Sequence, residues 1–87
     1  MNNDIENLKK KLIYRSQYRG TKEMDKLIGN FVQTEIKNLN IDQLYKLEKF
    51  LEIDDDTLYK LYNNQIVEID LLNNEIIELF KKFDYKK

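Results

Sequence analysis

Apolar residues recur at three- and four-residue steps along most of the chain, and nowhere do they alternate strictly with polar ones. That spacing is the one-face repeat of an α-helix and not the two-residue repeat of a strand. A first helix is predicted from about Asp4 to Gln17, with Ile5, Leu8 and Leu12 on one face. Asn3 with Glu6 has the polarity of a capping box. Gly20 then serves as a turn or C-cap residue, since glycine enters positive φ without a Cβ clash. A second helix should start near Thr21, with Glu23 and Asp25 in its first turn, where the macrodipole favours anions. Its buried stripe is Met24, Leu27, Ile28 and Phe31. Gly29 falls inside it at a cost of up to about 1 kcal/mol relative to alanine. Either the next helix crosses close there, or the position is simply tolerated.

Asn40 with Gln43 is a second capping-box pattern, flanked by Leu39 and Leu44 as a hydrophobic staple. The third helix runs from there to about Glu52 and buries Leu44, Leu47, Phe50 and Leu51. Asp54, Asp55 and Asp56 form an N-cap cluster for a short fourth helix carrying Leu58, Leu61 and Tyr62. Asn63, Asn64 and Gln65 end it. The last helix, from about Ile69 to Phe83, has the clearest period: Ile69, Leu72, Ile76, Leu79, Phe80 and Phe83. Five helices joined by short turns predict an all-α, small five-helix antiparallel bundle, a single domain over residues 1–87. The most β-branched stretch, Ile66 to Leu72, is where a strand would have to appear if this reading failed.

Composition narrows the function. A chain of 87 residues buries only about 60–65% of its unfolded surface, so the core is thin and a deep substrate cleft is not expected. Histidine and cysteine are both absent. That removes the side chain titrating nearest neutral pH, the thiolate nucleophile and the usual zinc and iron–sulfur ligands. No catalytic residue, metal ligand or cofactor-binding residue is assigned, and the chain is not expected to be an enzyme. Absent cysteine also fits a reducing compartment. The 15 basic and 16 acidic residues are interspersed and give a formal net charge of -1, which argues against a nucleic-acid partner. No apolar run approaches the ~20 residues that span a bilayer, so no membrane insertion is expected. The polar start, Met1-Asn2-Asn3-Asp4, is unlike a secretory signal or transit peptide, and a cytoplasmic location is expected. The lean toward Lys, Asn and Ile reads as base composition; against it, Arg15 and Arg19 are the only arginines.

The junction Tyr18-Arg19-Gly20-Thr21-Lys22-Glu23-Met24-Asp25 holds more charge than a turn requires. Spacing alone favours a plain explanation, in which Arg19 pairs with a nearby carboxylate and Glu23 serves the helix dipole. Exposed pairs of that kind contribute only about 0–1 kcal/mol.

Arg19-Gly20-x-x-Glu23-x-Asp25 resembles the RGxxE motif of the SdhE-type FAD assembly factors of succinate dehydrogenase. Phe31 followed by Glu35, Leu39-Asn40, Leu51-Glu52 and Asp54-Asp55-x-x-Leu58 match that family in the same order. The resemblance covers roughly Leu8 to Tyr62. Two positions depart from it: Tyr18 stands where the family usually has a second arginine, and Leu61 where it usually has a tryptophan in the fourth helix.

The resemblance implies an assembly chaperone that binds the flavoprotein subunit of succinate dehydrogenase or fumarate reductase and promotes covalent attachment of FAD to a histidine of that subunit. The helper binds no cofactor stably and acts on the FAD of the client, whose flavin and histidine supply the chemistry. Client-binding residues would be Arg19, Gly20, Glu23, Asp25, Asp54 and Asp55. Gly20 would let the two backbones approach, Arg19 would offer its planar fork to a client acceptor, and Glu23 would fix that arginine or take a client donor. Asp54 and Asp55 serve equally as simple N-caps. Tyr14, Tyr18, Tyr59 and Tyr62 could add interface area. Arg19→Ala and Glu23→Ala are expected to change stability little. The alternative is a helical interaction module with another client, such as a toxin-neutralising partner.

Overall fold

A computed structural model describes residues 2–63, 65 and 75–83, the side chains of residues 2 and 3 excepted. It contains α1 (Asn2–Gln17), α2 (Lys22–Glu35), a single 3-10 turn (Ile36–Asn38), α3 (Ile41–Phe50), α4 (Asp55–Tyr62) and α5 (Glu75–Lys82). Among the described residues there is no strand, and the architecture is the expected all-α bundle. The stretch from Ile66 to Leu72 and the predicted start of the last helix at Ile69 lie outside the described residues.

Local chemistry sets most boundaries. Thr21 caps α2, its hydroxyl accepting from the Met24 amide. At α3 the Asn40 side chain accepts from the Gln43 amide, and the Gln43 side chain accepts from the Asn40 amide, each at 2.9 Å. Both halves of that capping box form as the sequence predicts. Asp54 caps α4 by accepting from the Thr57 amide and hydroxyl. These hydrogen bonds hold the Asp54 carboxyl below the usual carboxylate range, the Thr57 hydroxyl contributing most. The first expected cap is different. Because α1 already includes Asn2, Asn3 lies inside the helix and not before it.

One apolar cluster runs through the bundle. Phe31 of α2 meets Phe50 of α3 and Phe80 of α5, with ring centroids 5.5 and 5.1 Å apart, and Phe50 meets Phe80 at 5.1 Å. Tilted and edge-on rings at this spacing add to simple area burial. Tyr62 at the end of α4 lies against Phe80, and Phe83, just past α5, against Phe31. Leu12 is the fully buried apolar contribution of α1, while Ile5 near its start is exposed. Ile77, not in the predicted stripe of the last helix, is fully buried beside Ile76.

Gly29 marks a close crossing. A Cβ there would stand 3.3 Å from Cγ of Gln17 and 3.7 Å from the Ser16 carbonyl oxygen. The neighbour is therefore the preceding helix, α1, and not the next one. Ser16 is buried at the same crossing, its hydroxyl donating to the Ile13 carbonyl at 2.6 Å. Gly29→Leu should force α1 and α2 apart and lower the unfolding free energy by about 1–3 kcal/mol, as overpacking does. Urea denaturation would check this.

Candidate functional site

The α1–α2 turn is built around one carboxylate. Asp25, in the first turn of α2, reaches back, and its Oδ1 accepts from the backbone amides of both Arg19 and Gly20. The second of these bonds is 3.3 Å long. With its amides held this way, Gly20 adopts φ = +125°, a value L-residues rarely take. This differs from the αL cap considered from the sequence, whose φ is near +57°. A Cβ at Gly20 would meet nothing within 4 Å, so the glycine answers to backbone geometry and faces open space.

The side chain of Arg19 turns inward. Its Nε donates to Oδ1 of Asp55 at 2.8 Å, Nη1 to the Leu51 carbonyl and Nη2 to the Ile53 carbonyl. The side chain is only 10% exposed. The three guanidinium nitrogens therefore bind the link between α3 and α4 and the first residue of α4, and the planar fork suits a carboxylate and two carbonyls at once. This corrects two expectations. The fork is occupied within the chain, and Arg19 belongs to the packing that joins the two halves. Its partner is a carboxylate distant in sequence, as the plain explanation of the pairing allowed.

The six predicted residues divide into two groups. Arg19, Asp25 and Asp55 are joined directly, and Asp54 holds the N-terminus of α4 beside them. Gly20 and Glu23 are exposed, and among the described residues the Glu23 carboxylate has no hydrogen-bond or ion-pair partner. Two open clefts flank the Arg19–Asp55 pair. One, of about 270 Å³, is lined by Tyr14, Arg15, Tyr18, Arg19 and Leu51. The other, of about 360 Å³, is lined by Glu23, Met24, Asp55, Asp56 and Tyr59. Sequence reasoning did not assign Arg15 or Asp56 to the site. The scarcity of arginine was the available signal for the first, and membership of the Asp54-Asp55-Asp56 cluster for the second.

No group of three or more Asp or Glu side chains among the described residues is placed to hold a metal ion. No described helix is long and apolar enough to cross a membrane.

An all-α bundle whose two halves are tied at a charged turn defines a class of small helical scaffold, and comparison with known proteins gives the family. Residues 10–84 match the family described as flavinator of succinate dehydrogenase, and the chain belongs to that family. It is also similar to a protein of Aspergillus flavus named succinate dehydrogenase assembly factor 2, mitochondrial, at 30% identity over 56 residues. The matched segment is 64% of this chain and 19% of that protein, so the chain spans about a fifth of that relative's length. That relative's name places it in mitochondria, and the cytoplasmic location expected for this chain is not confirmed. No solved structure matches the chain.

The clamp sets a stability expectation opposite to the one drawn from the sequence. Arg19→Ala strips the donor from Asp55 and two carbonyls, and should lower the unfolding free energy by about 2–3 kcal/mol. Arg19→Lys should recover only part, since an ammonium cannot serve three acceptors as a planar fork does. Gly20→Ala and Gly20→Asn should each cost about 1–3 kcal/mol through backbone strain, with asparagine no milder than alanine because φ lies outside αL. Thermal melting of the four variants checks both expectations.

Proposed function

We propose that the chain binds the flavoprotein subunit of succinate dehydrogenase and promotes covalent attachment of FAD to it. The observation that carries this reading is the family match over residues 10–84. The family description and the relative's name both refer to succinate dehydrogenase and neither refers to fumarate reductase, so succinate dehydrogenase is the client carried forward.

The chain acts here as a positioning helper and not as an enzyme. It has no histidine or cysteine for acid–base or nucleophilic work. Its two glycines, Gly20 and Gly29, form no phosphate-cradling loop, which supports leaving FAD with the client. The chemistry is then that of the flavin and a client histidine, and the helper contributes by holding client groups in reacting geometry. Gly20 and Glu23 suit direct contact, one with open space before it and the other with a carboxylate that is unpaired among the described residues. Arg19, Asp25, Asp54 and Asp55 act with them by fixing the turn and the start of α4.

The test is covalent flavin fluorescence of the isolated flavoprotein subunit, with and without this protein. Wild type should raise the covalent fraction. Glu23→Ala should lose most of the effect while melting like wild type. Gly20→Ala and Gly20→Arg share the same backbone strain, so a further loss of about tenfold in Gly20→Arg would read steric intrusion at a contact surface. Equal flavin incorporation with and without wild type would overturn the reading. Activity losses that merely follow melting temperature would return these residues to a packing role.

A further inference from the structure

The cleft on the α1 side has features that the bundle does not use. Tyr14 of α1 and Tyr18, the residue just past its end, are 64% and 67% exposed, the most exposed large apolar side chains described. Their rings pack on each other with centroids 4.6 Å apart. Neither ring belongs to the apolar cluster or packs against it, so their aromatic surface adds little to folding and is open to contact.

Arg15 lies between them in sequence and lines the same cleft. Its Nη1 is 3.8 Å from Oε2 of Glu48, too far for a hydrogen bond. The same oxygen already accepts from Lys11 at 3.3 Å. Two cations thus share one carboxylate, and none of the five guanidinium donors of Arg15 makes a hydrogen bond among the described residues. Arg19, on the floor of the cleft, is matched by Asp55 and adds no surplus.

We infer that this cleft is a docking point for a carboxylate side chain on an acidic segment of the partner protein, with Arg15 as its fork and the Tyr14–Tyr18 pair as its wall. The chemistry follows from guanidinium donors that make no hydrogen bond among the described residues, because a guanidinium binds a carboxylate through two parallel hydrogen bonds. Exposed tyrosine beside arginine is the pairing that most often supplies interface energy. The neighbouring cleft excludes a longer polyanion. Its lining holds three carboxylates and no cation; Asp55 and Asp56 are matched by Arg19 and Lys60, and Glu23 is the surplus negative charge that a nucleic acid or a diphosphate following the surface would meet. A single carboxylate avoids that repulsion. The inference deepens the proposed function and rests on it for the partner's identity.

The experiment measures binding of the full chain to the succinate dehydrogenase flavoprotein subunit at two salt concentrations. Arg15→Gln and the double variant Tyr14→Ser/Tyr18→Ser should each weaken binding by about tenfold or more. Arg15→Lys should fall between wild type and Arg15→Gln. Wild-type affinity should drop with salt, and Arg15→Gln should flatten that dependence. All variants should melt near wild type, since Tyr14 and Tyr18 are exposed and the half-buried Arg15 makes only a long ion pair with Glu48, which Lys11 also serves. If wild type binds and the variants bind equally well, the inference fails alone. If wild type does not bind, the proposed function fails and takes the inference with it. Titration with free FAD adds a third arm: FAD binding that Arg15→Gln abolishes would overturn the assignment to a protein carboxylate.

Discussion

The guanidinium of Arg19 is the interaction on which the arrangement of the two halves depends. It leaves the α1–α2 turn, crosses to the α3–α4 link and meets Asp55, Leu51 and Ile53 there. Burying a cation is unfavourable unless its hydrogen-bonding groups are satisfied, and one carboxylate with two carbonyls satisfies this one. The carbonyls are themselves part of the requirement. They belong to the end of α3 and the link after it, where helical partners run out, and they need a donor from elsewhere. The arginine therefore meets a deficit that the chain creates between helices. An apolar side chain of the same length could fill the space but not supply the donors.

A clamp with this geometry also explains why the surrounding turn is so constrained. For the guanidinium to reach the link, the backbone must leave α1 at a fixed angle. Asp25 imposes that angle by taking the amides of Arg19 and Gly20 on one oxygen. Gly20 then sits at φ = +125°, where any Cβ is strained although nothing occupies the space it would enter. Glycine here is a consequence of the clamp: the Asp25 carboxylate sets the amides of Arg19 and Gly20, and the amides set φ. The aromatic cluster of Phe31, Phe50 and Phe80 supplies cohesion across α2, α3 and α5, but its contacts are not directional enough to fix this turn.

The sequence revealed structure at most places where the cause was local, the Asn3–Glu6 pattern inside α1 being the exception. The caps at Thr21, Asn40 and Asp54 are each answered by a residue three positions on, and such pairs can be read by eye. The apolar stripes of α2 and α3 were legible for the same reason. The course of Arg19 was not, because its partners stand 32 to 36 residues away and no local pattern separates them from other acceptors. Gly29 was recognised as a possible crossing, but which helix crosses depends on tertiary packing, and α1 proved to be the neighbour. Ile77 escaped notice because the stripe Ile76, Leu79 and Phe80 already filled one face; α5 packs against both α3 and α4, so its buried arc is wider than one stripe.

A short run of residues can thus carry two duties without mixing them. Within Arg19-Gly20-x-x-Glu23-x-Asp25, the arginine and aspartate point into the molecule and fix the turn. The glycine and glutamate remain outside, on the surface that the turn defines. Such a division makes the exposed pair dependent on the buried pair: moving Asp25 or Arg19 would displace Gly20, whose amide Asp25 holds, and with it the surface that carries Glu23. It also ties both clefts to one ion pair, since Arg19 lines the first and Asp55 the second. A partner that engages both sides at once would meet a surface whose two parts cannot drift apart, which lowers the ordering cost of binding.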